Sequence, residues 1–578
     1  MACVSKRRKR NGIEQPRWNW SKRLLVSLPI FLILMGILTS VSHATTVEWH
    51  NDPIDQTVNT LASDTAVTYA NPGGEQLPKR GTYKVETTDT WIDLKRPSTG
   101  EIQRAHVLIR SPKGLSSNHG LPAAVFMHGA GYGTADNSFG DVATDLSSAG
   151  FVTATVDKPV WSTGDVDRDY PGSAHAYGQV VDYLRSMSAV DPEKVGLYAT
   201  SESTWISPYL VREDGHIAFQ VLLSPMVFSP RHALGFFVAQ DFAIVGANPG
   251  YQSIVRRVFS VDAARFGLYN LDFDPMVAEG YAIPTFVAYG SKDVMTAQVD
   301  GVRQIETMAH SVGNWDVTIR NYPVANHVLR LGDEAEEGTP LADRYENDFV
   351  DWAVGKVRGL EPTGASIAGA SIVQSIGVPT YLTAHTKMTV YGVIIHVAAA
   401  VMLIVSWLFA ITALVRKIWT MTHGGGRAIG LVPGFQRVLI TISLTTQAML
   451  LLFFAGVGQI IWRMVKLIWG AAPEAPGMIY WSWYALQVFC AVVVWAWSRV
   501  FGQILEAASL RGLLRTPEEW RADIQARRLT GRPVIRIRGV DTGPVLASTR
   551  FGVAFFVITT LAMFCLLLVF AFWGLFIY

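Results

Sequence analysis

The stretch that decides the fold is Val195-Gly-Leu-Tyr-Ala-Thr-Ser-Glu-Ser-Thr-Trp205. A short apolar run, Val195 to Tyr198, breaks off in small and polar residues, and residues 205–211 can continue as a helix. Strand, tight turn and helix with a serine at the apex is the layout that presents a hydroxyl above the carboxyl edge of a sheet. In so sharp a turn the positions two before and two after the serine must be small. Ala199 and Ser203 satisfy this around Ser201, whereas Ser203 as the apex would put Trp205 where a small residue is required. Ser201 is therefore the candidate nucleophile, although both glycines of the G-x-S-x-G pattern are replaced. The competing reading is an ordinary serine-rich turn, so the rest of the chain has to decide.

Outward from this turn, apolar runs alternate with helical segments. Residues 82–94 and 105–110 read as strands, and 123–127 as a buried one. Residues 141–149 are helical, 151–156 form a strand, and 174–186 are helical again. Further strands are expected at 219–223 and 285–289, with 317–321 as the last. The alternation predicts an α/β fold, a mostly parallel sheet with helices on both faces. Residues 45–81 read as a lead-in and 82–358 as the domain. Within it, residues 229–282, rich in Phe, Tyr and Arg, form an insert that would serve as a lid or substrate wall.

Chemistry-bearing residues follow successive strands. After 123–127 comes His128-Gly-Ala-Gly131, a glycine-rich turn able to point a backbone N–H at a developing oxyanion, or simply a strand-to-helix turn. The N–H of Glu202, next after the nucleophile, would be the second donor. After 285–289 comes Gly290-Ser-Lys-Asp293, whose carboxylate can orient an imidazole, with Asp300 in reserve. After 317–321 comes Tyr322-Pro-Val-Ala-Asn-His327, which brings an imidazole to the same edge as general base. His175, His232 and His310 fall outside this strand order and read as surface residues. Trp161, Trp205, Phe236 and Phe237 would line an acyl pocket or simply pack the core. The Glu202 carboxylate would stand at the pocket mouth, disfavouring anionic substrates, or be solvated.

With Ser201, Asp293 and His327 in the order nucleophile, acid, base, the chain resembles an α/β-hydrolase over residues 82–358. It is most similar to the dienelactone-hydrolase and prolyl-oligopeptidase-like esterases. The resemblance implies a triad of Ser201, Asp293 and His327, with Ala130 and Glu202 supplying the oxyanion N–H groups. Asp157-Lys-Pro-Val-Trp-Ser-Thr-Gly164 is similar in position to a longer glycine-rich loop of many relatives. The expected activity is cleavage of a small or lipid-like ester or thioester through an acyl-enzyme. The alternatives are an acyltransferase, or a non-catalytic hydrolase-like sensor on a transport or signalling bundle. No cofactor is expected, no metal motif appears, and nothing points to nucleic acid.

Composition adds a second environment. Hydrophobic residues make up 49% of the chain and the mean hydropathy is +0.23. Residues 45–385 hold 40 Asp or Glu against 24 Lys or Arg, a balance of −16, while the remainder is +18, giving the net +2. Lys6-Arg-Arg-Lys-Arg10 and Lys22-Arg23 precede an apolar run at 24–38, the pattern of a signal peptide or signal anchor. Ser42-His-Ala44 has small residues at the right spacing for cleavage, so residues 1–44 are either removed or retained. Past a linker at 359–389, residues 390–578 form a membrane domain with spans at 390–415, 438–462, 479–500 and 551–578. The basic connections between spans put them, with the N-terminus, on the cytoplasmic side of an inner membrane. The hydrolase-like domain then faces the periplasm or exterior. Its Cys-free sequence excludes disulfide staples.

Overall fold

The computed structural model describes residues 18–48, 56–60, 62–115, 119–162, 164–273, 277–332, 338–424, 428–510, 520–521, 524–525, 528–529 and 544–577. The basic cluster Lys6 to Arg10 lies outside them. Two compact units are present. One comprises Val47–Thr386 with Gly458–Tyr480, and the other Met1–Thr46, Lys387–Val457 and Trp481–Tyr578.

The first unit is built on strands β1 (Gln56–Val58), β2 (Val85–Lys95), β3 (Ile102–Pro112), β4 (Leu121–Met127), β5 (Val152–Val156), β6 (Val190–Thr200), β7 (Gln220–Leu223), β8 (Thr285–Gly290), β9 (Val317–Tyr322), β10 (Ile367–Gly369) and β11 (Ile372–Gln374). Among the described residues, nine of them form one sheet in the order β10-β9-β8-β7-β6-β4-β5-β3-β2. Only β3 runs against its neighbours, pairing antiparallel with β2 and β5, and every other pairing is parallel. β5, β7, β8 and β9 are buried along their whole length, as strands covered on both faces must be. One covering layer centres on Trp352, edge-on to Phe219 and fully buried with Phe126, Phe286 and Tyr345. The sheet continues past the last expected strand. β10 lies in the stretch read as linker and joins β9 in parallel, and β11 pairs with β1 in a separate two-stranded ribbon. Three-residue strands carry too little pattern to be read from sequence.

The second unit is helical and holds most of the length of five helices. Trp20–Ala44, Thr386–His423, Pro433–Ile468, Met478–Leu510 and Arg550–Phe572 are each long and apolar enough to cross a membrane. Trp20–Ala44 is joined to the others at both ends. The Arg23 guanidinium makes a two-point pair with the buried Glu506 carboxylate at 2.9 and 3.0 Å. At the opposite end Ser42 Oγ donates to Ala571 O at 2.7 Å and Thr45 Oγ1 to Phe572 O at 3.0 Å. Between helices, Ser406 Oγ donates to Thr559 Oγ1 at 3.0 Å, the kind of contact that substitutes for hydrophobic driving force in lipid. His396 bonds Gly392 O through Nδ1 and accepts the Trp573 indole N–H at Nε2.

Candidate active site

The serine turn is held by the residues that replace its glycines. Ser201, at the end of β6, has φ +52°, in the left-handed region that costs a non-glycine residue roughly 1–2 kcal/mol. Ser203 is fully buried, and its Oγ donates to Met127 O at 2.9 Å and accepts Thr200 N–H at 2.7 Å. Its hydroxyl is thus spent on tying the turn to the end of β4. Thr204 Oγ1 donates to Ser201 O at 2.5 Å and accepts Met226 N–H at 2.8 Å, linking the turn to the segment after β7.

Two loops bring the other groups to Ser201. The loop after β8 and the loop after β9 are zipped together by backbone bonds, Ser291 N–H to Tyr322 O and Lys292 N–H to Ala325 O, each 2.9 Å. Gly290 is where they touch, since a Cβ there would overlap the Ala325 and Asn326 carbonyls. Ser224, after β7, donates its Oγ to His327 O at 2.7 Å and fixes that backbone. The result is a continuous chain of polar contacts: His327 Nε2 lies 2.9 Å from Ser201 Oγ, and His327 Nδ1 lies 3.0 Å from Asp293 Oδ1. Asp300 is elsewhere, accepting from Gln374 Nε2 and Val378 N–H.

Asp293 is buried, which opposes its charge. The His327 ring, Thr296 and the Met295 N–H outweigh burial and hold it below the usual carboxylate range. With Oδ1 engaged by the imidazole, the ring must present Nε2 as acceptor to the serine hydroxyl, the tautomer that proton abstraction requires. One further carboxyl acts nearby. Asp241, on the helix Pro230–Ile244 of the insert, is fully buried, and among the described residues neither oxygen has a hydrogen-bond partner. Burial, then the charge of Asp293, pushes it up to about 8. The same helix is fastened to the Asp293 loop by Gln240 Nε2 to Val294 O at 3.1 Å.

The turn after β4 lies hard against the serine. A Cβ at Gly129 would stand 3.3 Å from Ser201 Cβ and from Thr200 O, so a side chain there would crowd the turn. Ala130 is exposed, and its N–H has no acceptor within the protein among the described residues. His128 is buried, bonds Val156 O through Nε2 at 2.6 Å, and is lowered to about 4 chiefly by burial, so it is neutral. Glu202, directly after Ser201, corrects the expectation for its side chain. Instead of standing at a pocket mouth or in solvent, the carboxylate is buried and paired with Lys158 Nζ at 2.7 Å and Arg168 Nε at 3.3 Å. The reason is the sharp turn, which sends this side chain inward under the loop after β5.

Three of the four aromatic candidates are buried. Trp161 is buried in a short 3-10 turn with the Arg96 guanidinium over its ring. Trp205 donates its indole N–H to Phe228 O at 2.8 Å, Phe236 is fully buried, and Phe237 is half-buried. A cavity of about 10 Å³ beside Thr296 is lined by Met226, Val227, Phe228, Ala233 and Met295. Sequence reading missed Lys158, Ser224, Thr296 and Asp241. The one signal for Lys158 was a lysine immediately beyond a buried strand. Among the described residues no group of His, Cys, Asp and Glu is arranged to hold a metal.

No family model matches the chain, and no curated protein matches it. Solved structures do. A fungal esterase from Rhizomucor miehei is 17% identical with a TM-score of 0.35, over 49% of this chain and 85% of that one. A thermophilic esterase from Thermogutta terrifontis is 15% identical with a TM-score of 0.34, over 48% of this chain and 96% of that one. A candidate dipeptidyl aminopeptidase IV from Bacteroides ovatus is 13% identical with a TM-score of 0.33, over 50% of this chain but only 37% of that longer one. The fold itself is fixed by this chain's own strand order, its single reversed strand and the strained serine between β6 and the helix Ser207–Glu213. By those features the Val47–Thr386 region has the α/β-hydrolase fold.

Proposed function

We propose that this protein is a membrane-anchored serine hydrolase that cleaves an ester or thioester through an acyl-enzyme. The observation that carries the reading is the unbroken relay of Asp293, His327 and Ser201 at 3.0 and 2.9 Å, with the serine held at positive φ. In this scheme Ser201 Oγ attacks the carbonyl carbon while His327 Nε2 takes its proton. The Ala130 and Glu202 N–H groups receive the charge that develops on the carbonyl oxygen. His327 then returns the proton to the departing alkoxide or thiolate. Water, activated by the same imidazole, releases the acid and regenerates Ser201. Asp293 keeps the ring in the required tautomer and stabilises it once charged.

Five apolar helices support anchoring, and the charge segregation supports an exported domain with the basic connections inside. The contacts of Ser42 and Thr45 with Ala571 and Phe572 support retention of the first helix as an anchor. A fluorophosphonate probe tests the reaction. It should label the wild type and leave Ser201→Ala unlabelled, and p-nitrophenyl esters of graded acyl length should be hydrolysed with the same dependence. A folded wild type that neither labels nor hydrolyses would favour the sensor reading. Acyl transfer to an added alcohol exceeding hydrolysis would assign the transferase.

A further inference from the structure

Beneath the turn that carries Ala130 lies a buried lysine. Lys158 follows β5 and is 5% exposed. Its backbone N–H donates to Gly133 O at 2.9 Å. Its ammonium has three acceptors: Gly129 O at 2.6 Å, Gly131 O at 3.2 Å and Glu202 Oε2 at 2.7 Å. An ammonium has three protons, so the group is fully satisfied.

Burying an ion pair gains little over an apolar pair of the same volume, so packing alone does not explain a lysine here. Its acceptors explain it better. Gly129 O belongs to the peptide whose N–H is that of Ala130, and in a planar trans peptide the two groups point in opposite directions. A cation seated on the oxygen therefore fixes the N–H facing away from it. That peptide needs fixing, because one of the two torsions that set its plane belongs to Gly129, a residue that rotates at little cost, and Gly131 at φ +87° leaves the far side of Ala130 equally permissive. The third bond runs to the side chain of Glu202, the residue whose own N–H is the partner donor.

We propose that Lys158 is the positioning residue of the oxyanion site, pinning the 129–130 peptide so that the Ala130 N–H faces Ser201 and locking it to Glu202. This rests on the reading of Ser201 as nucleophile and deepens it. Lys158 touches no reacting atom. It sets the direction of a donor that matters most when the oxyanion forms.

The experiment compares Lys158→Met, Lys158→Arg and wild type as full-length chains, by ester hydrolysis and by amide hydrogen exchange over residues 128–133. Loss of one oxyanion donor typically costs about 10²–10³ in kcat, so Lys158→Met should lower kcat by roughly 30-fold or more with KM within about 3-fold. Lys158→Arg, which keeps a charged donor, should recover part of that, and exchange should quicken by about 10-fold in the methionine variant. Folded Lys158→Met with kcat and exchange both like wild type would overturn the proposal, as would a change in KM alone. Should Lys158→Met not fold, Lys158→Arg and Lys158→Gln carry the same comparison, and wild-type exchange in both would be fatal. If Ser201→Ala hydrolyses the ester as well as wild type, the hydrolase reading fails, while exchange still decides whether Lys158 pins the peptide.

Discussion

Asp241→Asn probes how the helical insert is packed against the loop that carries Asp293. The native carboxyl is fully buried, has no partner for either oxygen among the described residues, and is raised from 3.8 to about 8 by burial and by the charge of Asp293. Below the unfolded value both folded and unfolded chains hold this proton, so Asp241 leaves stability unchanged there. As pH rises past that value the unfolded chain ionises and is favoured, while the folded chain keeps its proton until about pH 8. Stability is therefore lost by about 1.4 kcal/mol for each pH unit in that window. Between pH 5 and pH 8 the loss approaches about 4 kcal/mol as an upper figure, or roughly 8 °C in Tm for a domain of this size. Asparagine has no such linkage. Its amide is equally unpartnered, so at pH 5 the variant should be no more stable than wild type. The assay is thermal unfolding of the full-length protein in detergent, followed by tryptophan emission from pH 5 to pH 8. The Tm of the variant should pull progressively ahead as pH rises. Parallel curves for the two proteins would show that Asp241 is ionised or hydrated in the fold, and the reasoning would be refuted.

Other outcomes follow from the same geometry. Asp293→Asn should lower kcat by roughly 10³–10⁴-fold with the fold intact, because an amide favours the wrong imidazole tautomer, and steady-state hydrolysis beside a circular dichroism spectrum checks both. Ser203→Ala should still label with a fluorophosphonate yet lose about 1–3 kcal/mol of stability in denaturant, since Thr200 N–H and Met127 O lose their buried partner. A tag placed before Trp20 should remain on the mature protein after fractionation, because the first helix is bonded to the last at Ser42 and Thr45. In a cysteine-free background, cysteine at the exposed Val373 should react with an impermeant thiol reagent in spheroplasts and cysteine at Thr422 should not. The reverse pattern would invert the membrane topology.

The candidate residues and their order along the chain were legible in the sequence alone. The serine turn announced itself because a sharp strand-to-helix turn restricts side-chain size locally, and Ala199 and Ser203 obey that restriction. Asp293 and His327 were legible for the same kind of reason, each lying a few residues beyond a buried apolar run. The long apolar helices were readable because crossing lipid demands some twenty apolar residues in a row, a pattern held in consecutive residues. Tertiary structure decided what depends on partners distant in the chain. Glu202 looked like a surface carboxylate until Lys158, 44 residues earlier, turned out to be buried beneath it. Asp241 carried no signal within an insert rich in Phe, Tyr and Arg, and only its packing deprives it of water and places it near Asp293. β10 was invisible because three residues hold no period, and its hydrogen bonds come from β9. Local sterics and hydrophobic length are written in consecutive residues. The desolvation of a charge and the direction of a peptide are set by neighbours that only folding supplies.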